Sequence, residues 1–240
     1  MEAEAREAGL VQSLNPLSKL LVTVFYLVIL LSFHRYDLAG VLLMGVYPVL
    51  LFTLGRIPLR PMWGRMRLIL IPVCLIGIAN PFFDRLPVSP GSPLTGGMVS
   101  MVTLLLKGLF AVSATYLLMV TTPMDDLCRA LRKLRVPAIL VTVILLIYRY
   151  LTVFLEEVAR IRTAYAMRAP GRKGIHFKQW GPLAGMLLLR SMDRSEAVYQ
   201  SMSLRGFRGE FPFGTDRPFS RRDLVYVLLG IAVPLIIRYL

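Results

Sequence analysis

Two short stretches of similar sequence each place an arginine at the predicted end of a long helix. They read Ala164-Tyr165-Ala166-Met167-Arg168-Ala169 and Ser201-Met202-Ser203-Leu204-Arg205-Gly206. A guanidinium group forms paired hydrogen bonds to carboxylates and donates to carbonyl oxygens, and small residues let a partner's backbone approach closely. The pair therefore predicts two matched docking ends, although the helix macrodipole alone favours an arginine in the last turn of either helix.

Patterns that would support catalysis or nucleotide binding are not found in the sequence. A phosphate-binding loop needs a glycine-rich turn followed by Lys and Ser or Thr, and the nearest stretch, 169–174, lacks the spacing and the hydroxyl. Glu156 and Glu157 point in different directions on a helix, and Glu156 is expected to pair with Arg160 one turn later. We therefore expect no catalytic residue, no metal site and no nucleotide site in this chain.

Composition indicates a membrane protein. Apolar residues make up 56% of the 240 residues and charged residues 18%, with a mean hydropathy of +0.63. Soluble domains lie near 45–50% apolar and about 25% charged. The net charge of +14 is clustered, since 18 of the 28 Lys and Arg lie between Arg129 and Arg222 and four more lie in the loop 56–67. Such clustering is typical of cytoplasmic segments.

Hydrophobic stretches predict an all-α, polytopic fold with about five transmembrane helices and two to three cytoplasmic or half-embedded helices. A membrane-spanning helix needs roughly 17–25 apolar residues. The predicted spans are Leu17–Phe33, Leu38–Leu54, Leu68–Phe83, Met98–Val120 and Leu224–Leu240. Lys107 is the one charge well inside a span, and it is either a functional residue or a buried lysine paired with carbonyl groups or with a partner subunit. Cys74 and Cys128 are expected to be small buried thiols.

The remaining helices are predicted between residues 121 and 223. Thr122 and Pro123 mark the start of an amphipathic helix on the membrane surface, with Thr122 as its cap. Pro137–Arg168 is predicted to be half embedded, with an ordinary span ending at Leu155 as the alternative. Trp180–Leu204 is a second long helix.

These elements predict three regions. Residues 1–120 form a membrane domain with four spans, residues 121–223 a cytoplasmic region with the two arginine ends, and residues 224–240 a last span. The positive-inside rule places the N-terminus and the region 121–223 in the cytoplasm. We expect a multi-pass protein of the bacterial plasma membrane, with the first apolar segment retained as an anchor.

At the two arginine ends the chain resembles the T component of energy-coupling factor transporters, in the CbiQ family of the cobalt and nickel branch. Arg205-Gly206 matches the second signature motif of that family, and Arg168-Ala169 matches the first with Ala in place of Gly. The resemblance covers most of the chain. Further similar stretches are 15–19, 80–85, 121–123, 134–137, 148–150, 156–157, 168–175, 180–181, 187–191 and 193–194.

The resemblance implies a non-catalytic coupling subunit for cobalt ion uptake. Its partners would be two ABC ATPase subunits, which bind ATP and Mg, and a CbiM-like substrate-capture membrane subunit, with or without a small CbiN-like subunit. The chain itself would bind no cofactor and no nucleic acid. The ATPase-coupling residues would be Arg168, Ala169, Arg205, Gly206, Ala164, Ser201 and Met202. The contact with the substrate-capture subunit would involve Leu183, Met186, Leu187 and Ile144.

Other functions remain open at this point. The cargo could be nickel or a vitamin, or the chain could be the permease subunit of an ordinary ABC importer. A secondary transporter would need inverted repeats or polar residues at the midplane of the membrane, and neither is found in the sequence.

Overall fold

A computed structural model describes residues 14–55, 64, 71–78, 96–169, 171, 174–209, 211 and 219–239. The described residues form helices joined by turns, with no strand among them, which confirms the all-α prediction. Residues 1–13, most of the basic loop 56–67, and the similar stretch 80–85 lie outside the described residues.

Nine described helices follow one another along the chain. Their bounds are α1 Pro16–Ser32, α2 Leu38–Met44, α3 Val46–Gly55, α4 71–78, α5 Gly96–Thr121, α6 Met124–Lys133, α7 Ala138–Arg168, α8 Trp180–Leu204 and α9 Arg221–Tyr239. A short 3-10 turn, Phe177–Gln179, precedes α8.

The chain divides into two compact units. The first comprises Met1–Ala130 with Asp216–Leu240, and the second comprises Leu131–Thr215. The division into residues 1–120, 121–223 and 224–240 stays a prediction.

Three described helical stretches are long and apolar enough to cross a membrane: Leu38–Gly55, Gly96–Thr121 and Ala138–Arg168. Pro16–Ser32 is a shorter apolar helix, and α9 carries charged residues at both ends. The multi-pass prediction is confirmed. Because Ala138–Arg168 meets the length and composition of a span, both the half-embedded helix and the ordinary span are compatible with it.

The first unit is built around α1, which packs against α9 and α5. Gly230 of α9 makes the close approach possible, because a Cβ at this position would overlap the Cγ1 atom of the buried Val22. The apolar core beside this contact contains Tyr26, Leu30, Phe33, Val41, Met44 and Ala114.

One predicted span is interrupted where α2 ends and α3 begins. Pro48 has no N–H group, so the carbonyl oxygen of Met44, four residues earlier, lacks its usual helical donor. The hydroxyl of Tyr26 donates to this oxygen at 3.0 Å, and the Tyr26 ring stacks on Tyr47 with centroids 4.4 Å apart. A side chain of α1 therefore compensates for the proline in the second span.

Buried polar groups join the start of α1 to α5 and α9. The Asn15 backbone N–H donates to the Asp223 carboxylate at 2.7 Å, and the same carboxylate accepts from the Ser220 N–H at 2.8 Å. Lys19, which is buried, donates from Nζ to the carbonyl oxygen of Thr121 at 3.0 Å, at the C-terminal end of α5. An ammonium group is favourable there, because the carbonyl groups of a last turn carry partial negative charge.

Lys107 has a partner at the end of α1. Its Nζ donates to the carbonyl oxygen of Phe33, the C-cap of that helix, at 2.6 Å. The guanidinium of Arg238 lies 5.2 Å from the centroid of the Phe33 ring. Of the two interpretations of Lys107, the carbonyl-paired one matches this contact.

Helix α6 begins one residue later than its sequence pattern predicts. The carbonyl of Pro123 accepts the first helical bond from Leu127, so Pro123 occupies the cap position. Within the described residues the hydroxyl of the buried Thr122 has no hydrogen-bond partner, so Thr122 does not cap the helix as expected.

Cys128 is fully buried, as predicted, and burial raises the pKa of its thiol. Cys74 is half-buried.

Candidate functional site

The first arginine end is the exposed C-terminus of α7. Arg168 is the last helical residue, and the Ala169 N–H closes the helix by donating to the Tyr165 carbonyl at 3.0 Å. Ala169 has φ −129° and ψ 66°, away from the helical region. A residue that precedes a proline is driven away from the helical region, so Pro170 in the sequence accounts for this stop. Met167 beside the arginine is 79% exposed.

The second arginine end closes with a different hydrogen-bond pattern. The Phe207 N–H donates to the Met202 carbonyl and the Gly206 N–H to the Ser203 carbonyl, both at 3.0 Å. Gly206 has φ +81°, the left-handed conformation that glycine adopts without steric cost. These features define a Schellman motif, in which Arg205 is the helix cap and Gly206 the first residue beyond it.

The different closures explain the one departure of the chain from the family motif. Position 206 needs a positive φ and holds glycine, whereas position 169 has a negative φ and accepts alanine. The two ends therefore present an exposed arginine in similar sequence contexts, on helices that stop for different physical reasons.

A third helix end, between α6 and α7, holds an arginine in the left-handed conformation. Arg135 has φ +62°, and the Val136 N–H donates to the Leu131 carbonyl at 3.2 Å in the same Schellman pattern. A side chain in this conformation costs about 1–2 kcal/mol. Pro137 follows and precedes α7, so the chain turns sharply here at the expense of local strain.

An ion-pair network connects α7 to α8. Glu157 of α7 binds Arg190 of α8 and also pairs with Arg160, at 2.9 Å, one turn along its own helix. The expected Glu156–Arg160 pair is wrong, because Arg160 pairs with Glu157 three residues earlier. A second contact links the end of α7 to the turn before α8, where the His176 N–H donates to the Tyr165 hydroxyl at 3.3 Å.

Helix α8 buries none of its 25 residues. Its exposed apolar residues include Leu188, Leu189, Met192, Tyr199 and Leu204, the last of which is 89% exposed. An exposed apolar surface of this extent marks a contact with another protein or with lipid.

The polar side of α8 lines a groove of about 760 Å³ within the second unit. Leu146, Arg149 and Tyr150 of α7 form the opposite wall. The described residues that line it from α8 onward are Asp193, Arg194, Ala197, Val198, Ser201, Met202, Arg205, Gly206, Phe207 and Phe211. The segment after α8 is joined to the start of α7 by a hydrogen bond from the Thr142 hydroxyl to the Gly209 carbonyl at 3.4 Å.

The predicted coupling residues fall into two groups. Ser201, Met202, Arg205 and Gly206 meet at the end of α8, beside the groove. Ala164, Arg168 and Ala169 lie at the end of α7. The sequence interpretation gave no separate role to Arg149, Arg194, Phe207 or Phe211, which the fold brings to the same groove. One signal was available for Arg149, which interrupts an otherwise apolar stretch of α7.

The residues predicted to contact a substrate-capture subunit differ in exposure. Met186 is exposed, whereas Leu183, Leu187 and Ile144 are half-buried. More exposed apolar side chains lie close to them in sequence, at Leu188 of α8 and Ile147 of α7 among others. The apolar surface is thus larger than the four predicted positions.

Metal-ligating side chains do not cluster in the described part of the chain. No group of three or more His, Cys, Asp or Glu residues there is arranged to hold an ion. What the second unit offers chemically is exposed arginine, exposed apolar surface and a groove lined by charged and aromatic side chains.

Comparison with known proteins identifies the family. The family model described as CbiQ, cobalt transport protein, matches residues 9–213. An uncharacterized protein of Methanocaldococcus jannaschii is 25% identical over 97% of this chain and 83% of its own length. The cobalt transport protein CbiQ of Rhodobacter capsulatus is 27% identical over 71% of this chain and 70% of its own length.

A third relative is a longer protein. The putative fused cobalt transport protein CbiMQ of Methanocorpusculum labreanum is 34% identical over 43% of this chain and 17% of its own length. The family match extends from the start of α1 through both arginine ends. The chain belongs to the CbiQ family of cobalt transport proteins.

Proposed function

We propose that this chain is the transmembrane coupling subunit of an energy-coupling factor importer for cobalt ions. In this role it transmits movement from two ATP-hydrolysing subunits in the cytoplasm to a separate membrane subunit that captures the ion. The chain takes no part in ATP chemistry itself, and ATP and Mg belong to the partner ATPases.

The observation that carries this proposal is the exposure of the two long helices in the second unit, α7 and α8. Both end in an exposed arginine, and α8 buries no residue along its entire length. A helix with a large exposed apolar surface needs a partner or lipid to cover it. Arg168 and Arg205 would dock on the ATPase pair, one on each subunit, with Ala164, Ala169, Ser201, Met202 and Gly206 allowing close approach.

The ion-capturing partner would be CbiM-like. One relative of this chain is named as a fusion, CbiMQ, which supports a functional association between a CbiM part and a CbiQ part. The contact surface would include Leu183, Met186, Leu187 and Ile144, together with the more exposed Leu188. Methionine-rich apolar surfaces adapt to a moving partner, because methionine has a flexible side chain. A small CbiN-like subunit would complete the complex where one is present.

Motion would pass through the network that joins the two helices. The Glu157–Arg190 pair links α7 to α8 away from their exposed ends. When ATP binding brings the two ATPase subunits together, the docked ends move with them, and a link between the helices converts two separate displacements into one rearrangement.

Co-purification in mild detergent tests the ATPase contact. The chain is expressed together with its ATPase and ion-capture subunits, and the double variant Arg168→Ala, Arg205→Ala is compared with Arg162→Ala, Arg222→Ala. The control removes two exposed arginines outside the proposed docking ends. We expect the docking variant to lose at least tenfold of the bound ATPase and to retain the ion-capture subunit. Equal recovery of ATPase from both variants would contradict the docking role.

A further inference from the structure

The groove in the second unit has a charge that its own residues do not balance. Arg149, Arg194 and Arg205 line it, and Asp193 is the one acidic residue among its described lining residues. Within the described part of the chain none of these three guanidinium groups has a hydrogen-bond or ion-pair partner. A cluster of unpaired guanidinium groups favours an anion, and phosphate accepts paired hydrogen bonds from arginine.

The position of Arg149 indicates where this anion lies. Arg149 is the first charged residue of α7 and is surrounded along the helix by apolar residues, of which Ile147 is 62% exposed and Leu155 57% exposed. Beyond Leu155 the helix becomes charged. Arginine within a span is costly unless it reaches the interface or pairs with an anion. We therefore expect Arg149 to lie near the depth at which lipid phosphate groups are found.

The walls of the groove are suited to hydrocarbon as well as to charge. Leu146, Val198 and Met202 supply aliphatic surface, and the rings of Phe207 and Phe211 lie with centroids 5.2 Å apart. A free inorganic anion would gain nothing from these walls, whereas a phospholipid presents a phosphate and acyl chains in one molecule.

We propose that the groove lined by Arg149, Arg194 and the rings of Phe207 and Phe211 binds an anionic phospholipid. The headgroup phosphate contacts Arg149 and Arg194, and the upper part of an acyl chain lies along Leu146, Val198 and the two phenylalanines. The bound lipid fills the space between α7 and α8 next to the Arg205 end. This site goes beyond the coupling role, and its test measures lipid binding rather than transport.

Native mass spectrometry of the full chain, purified in mild detergent, measures this binding directly. Phosphatidylglycerol is titrated against phosphatidylcholine with the same acyl chains. We expect Arg149→Gln with Arg194→Gln to weaken phosphatidylglycerol binding roughly 30-fold and leave phosphatidylcholine binding unchanged, since each basic residue near a membrane contributes about 1 kcal/mol. The control Arg162→Gln, Arg222→Gln makes the same change in net charge outside the groove and is expected to bind like the wild type.

Several results would overturn the lipid site. The proposed site is contradicted if the groove variant and the wild type bind phosphatidylglycerol with equal affinity. It is also contradicted if the wild type binds the two lipids equally. Displacement of the lipid by inorganic phosphate at millimolar concentration shows a small-anion site instead. Unchanged lipid binding combined with loss of co-purified ATPase shows a protein-docking surface.

A charge-preserving variant separates lipid binding from folding. Arg149→Lys with Arg194→Lys keeps both charges, so its binding shows whether the glutamine variant loses lipid through lost charge or through a changed fold. We expect it to bind phosphatidylglycerol within about threefold of the wild type. Loss of binding in a lysine variant that inserts normally would contradict a lipid site held mainly by charge.

Discussion

Helix ends in the second unit show how single residues determine where an arginine is presented. Gly206 allows the chain to reverse immediately after Arg205, with the Phe207 N–H bonded to the Met202 carbonyl. Ala169 needs no such freedom, because the following Pro170 ends α7. The exposed arginine is common to both ends, while the mechanism that stops the helix is not.

Substitution of Gly206 by alanine tests the Schellman closure. A Cβ at φ +81° costs about 1 kcal/mol, so amide hydrogens of the segment 202–207 should exchange about fivefold faster in Gly206→Ala. The control is Gly185→Ala in the interior of the same helix, where a Cβ meets open space. Alanine is the better helix former, so the control should slow exchange around residue 185. Unchanged exchange in Gly206→Ala would contradict the closure described here.

Sequence patterns predict residue-scale features only where local rules decide them. The positions of Arg168 and Arg205 at helix ends follow from breakers and glycine nearby, and both were anticipated. The pairing of Glu157 with Arg190 was not, because it depends on how α8 lies against α7. The positive φ of Arg135 was also missed, since arginine in that position has no distinguishing sequence pattern.

Packing between elements in the first unit depends on the contact of α9 with α1. Gly230 lies against Val22 with no room for a side chain. At this position a small residue is required by the neighbouring helix, although alanine would favour the helix itself.

A double-mutant cycle measures this contact. Gly230→Ala should lower the free energy of unfolding of the detergent-purified chain by about 1–3 kcal/mol, because the added methyl group overpacks the contact. In a Val22→Ala background the same change should cost at least 1 kcal/mol less, because the overlapping methyl groups are gone. Equal costs in both backgrounds would show that the two residues are not coupled, and the proposed contact would be wrong.

The helices themselves are largely predictable from the sequence, whereas the contacts that compensate for their interruptions are not. Apolar length predicted the α5 span to within two residues at its N-terminal end. Pro48 is itself a helix-breaking signal within the second span, but the Tyr26 hydroxyl that compensates for it comes from another helix. Long-range hydrogen bonds of this kind leave no local pattern.

At the scale of the whole molecule, the two units differ in what they bury. The first contains apolar clusters, buried polar contacts and a cap on α1 supplied by Lys107. The second exposes most of its long helices, and no residue of α8 is fully buried. Coverage of the second unit by the proposed partner subunits and by lipid would account for this difference.

Cobalt uptake tests the central claim most directly. Cells expressing the chain with its ATPase and ion-capture subunits are given radioactive cobalt, and the initial rate is compared between wild type, Arg168→Ala with Arg205→Ala, and the control Arg162→Ala with Arg222→Ala. The coupling role predicts that the first variant falls at least tenfold, to the rate of cells lacking the chain, while the control stays near wild type. Wild-type uptake by an Arg168→Ala, Arg205→Ala chain that is present in the membrane at normal amount would contradict it.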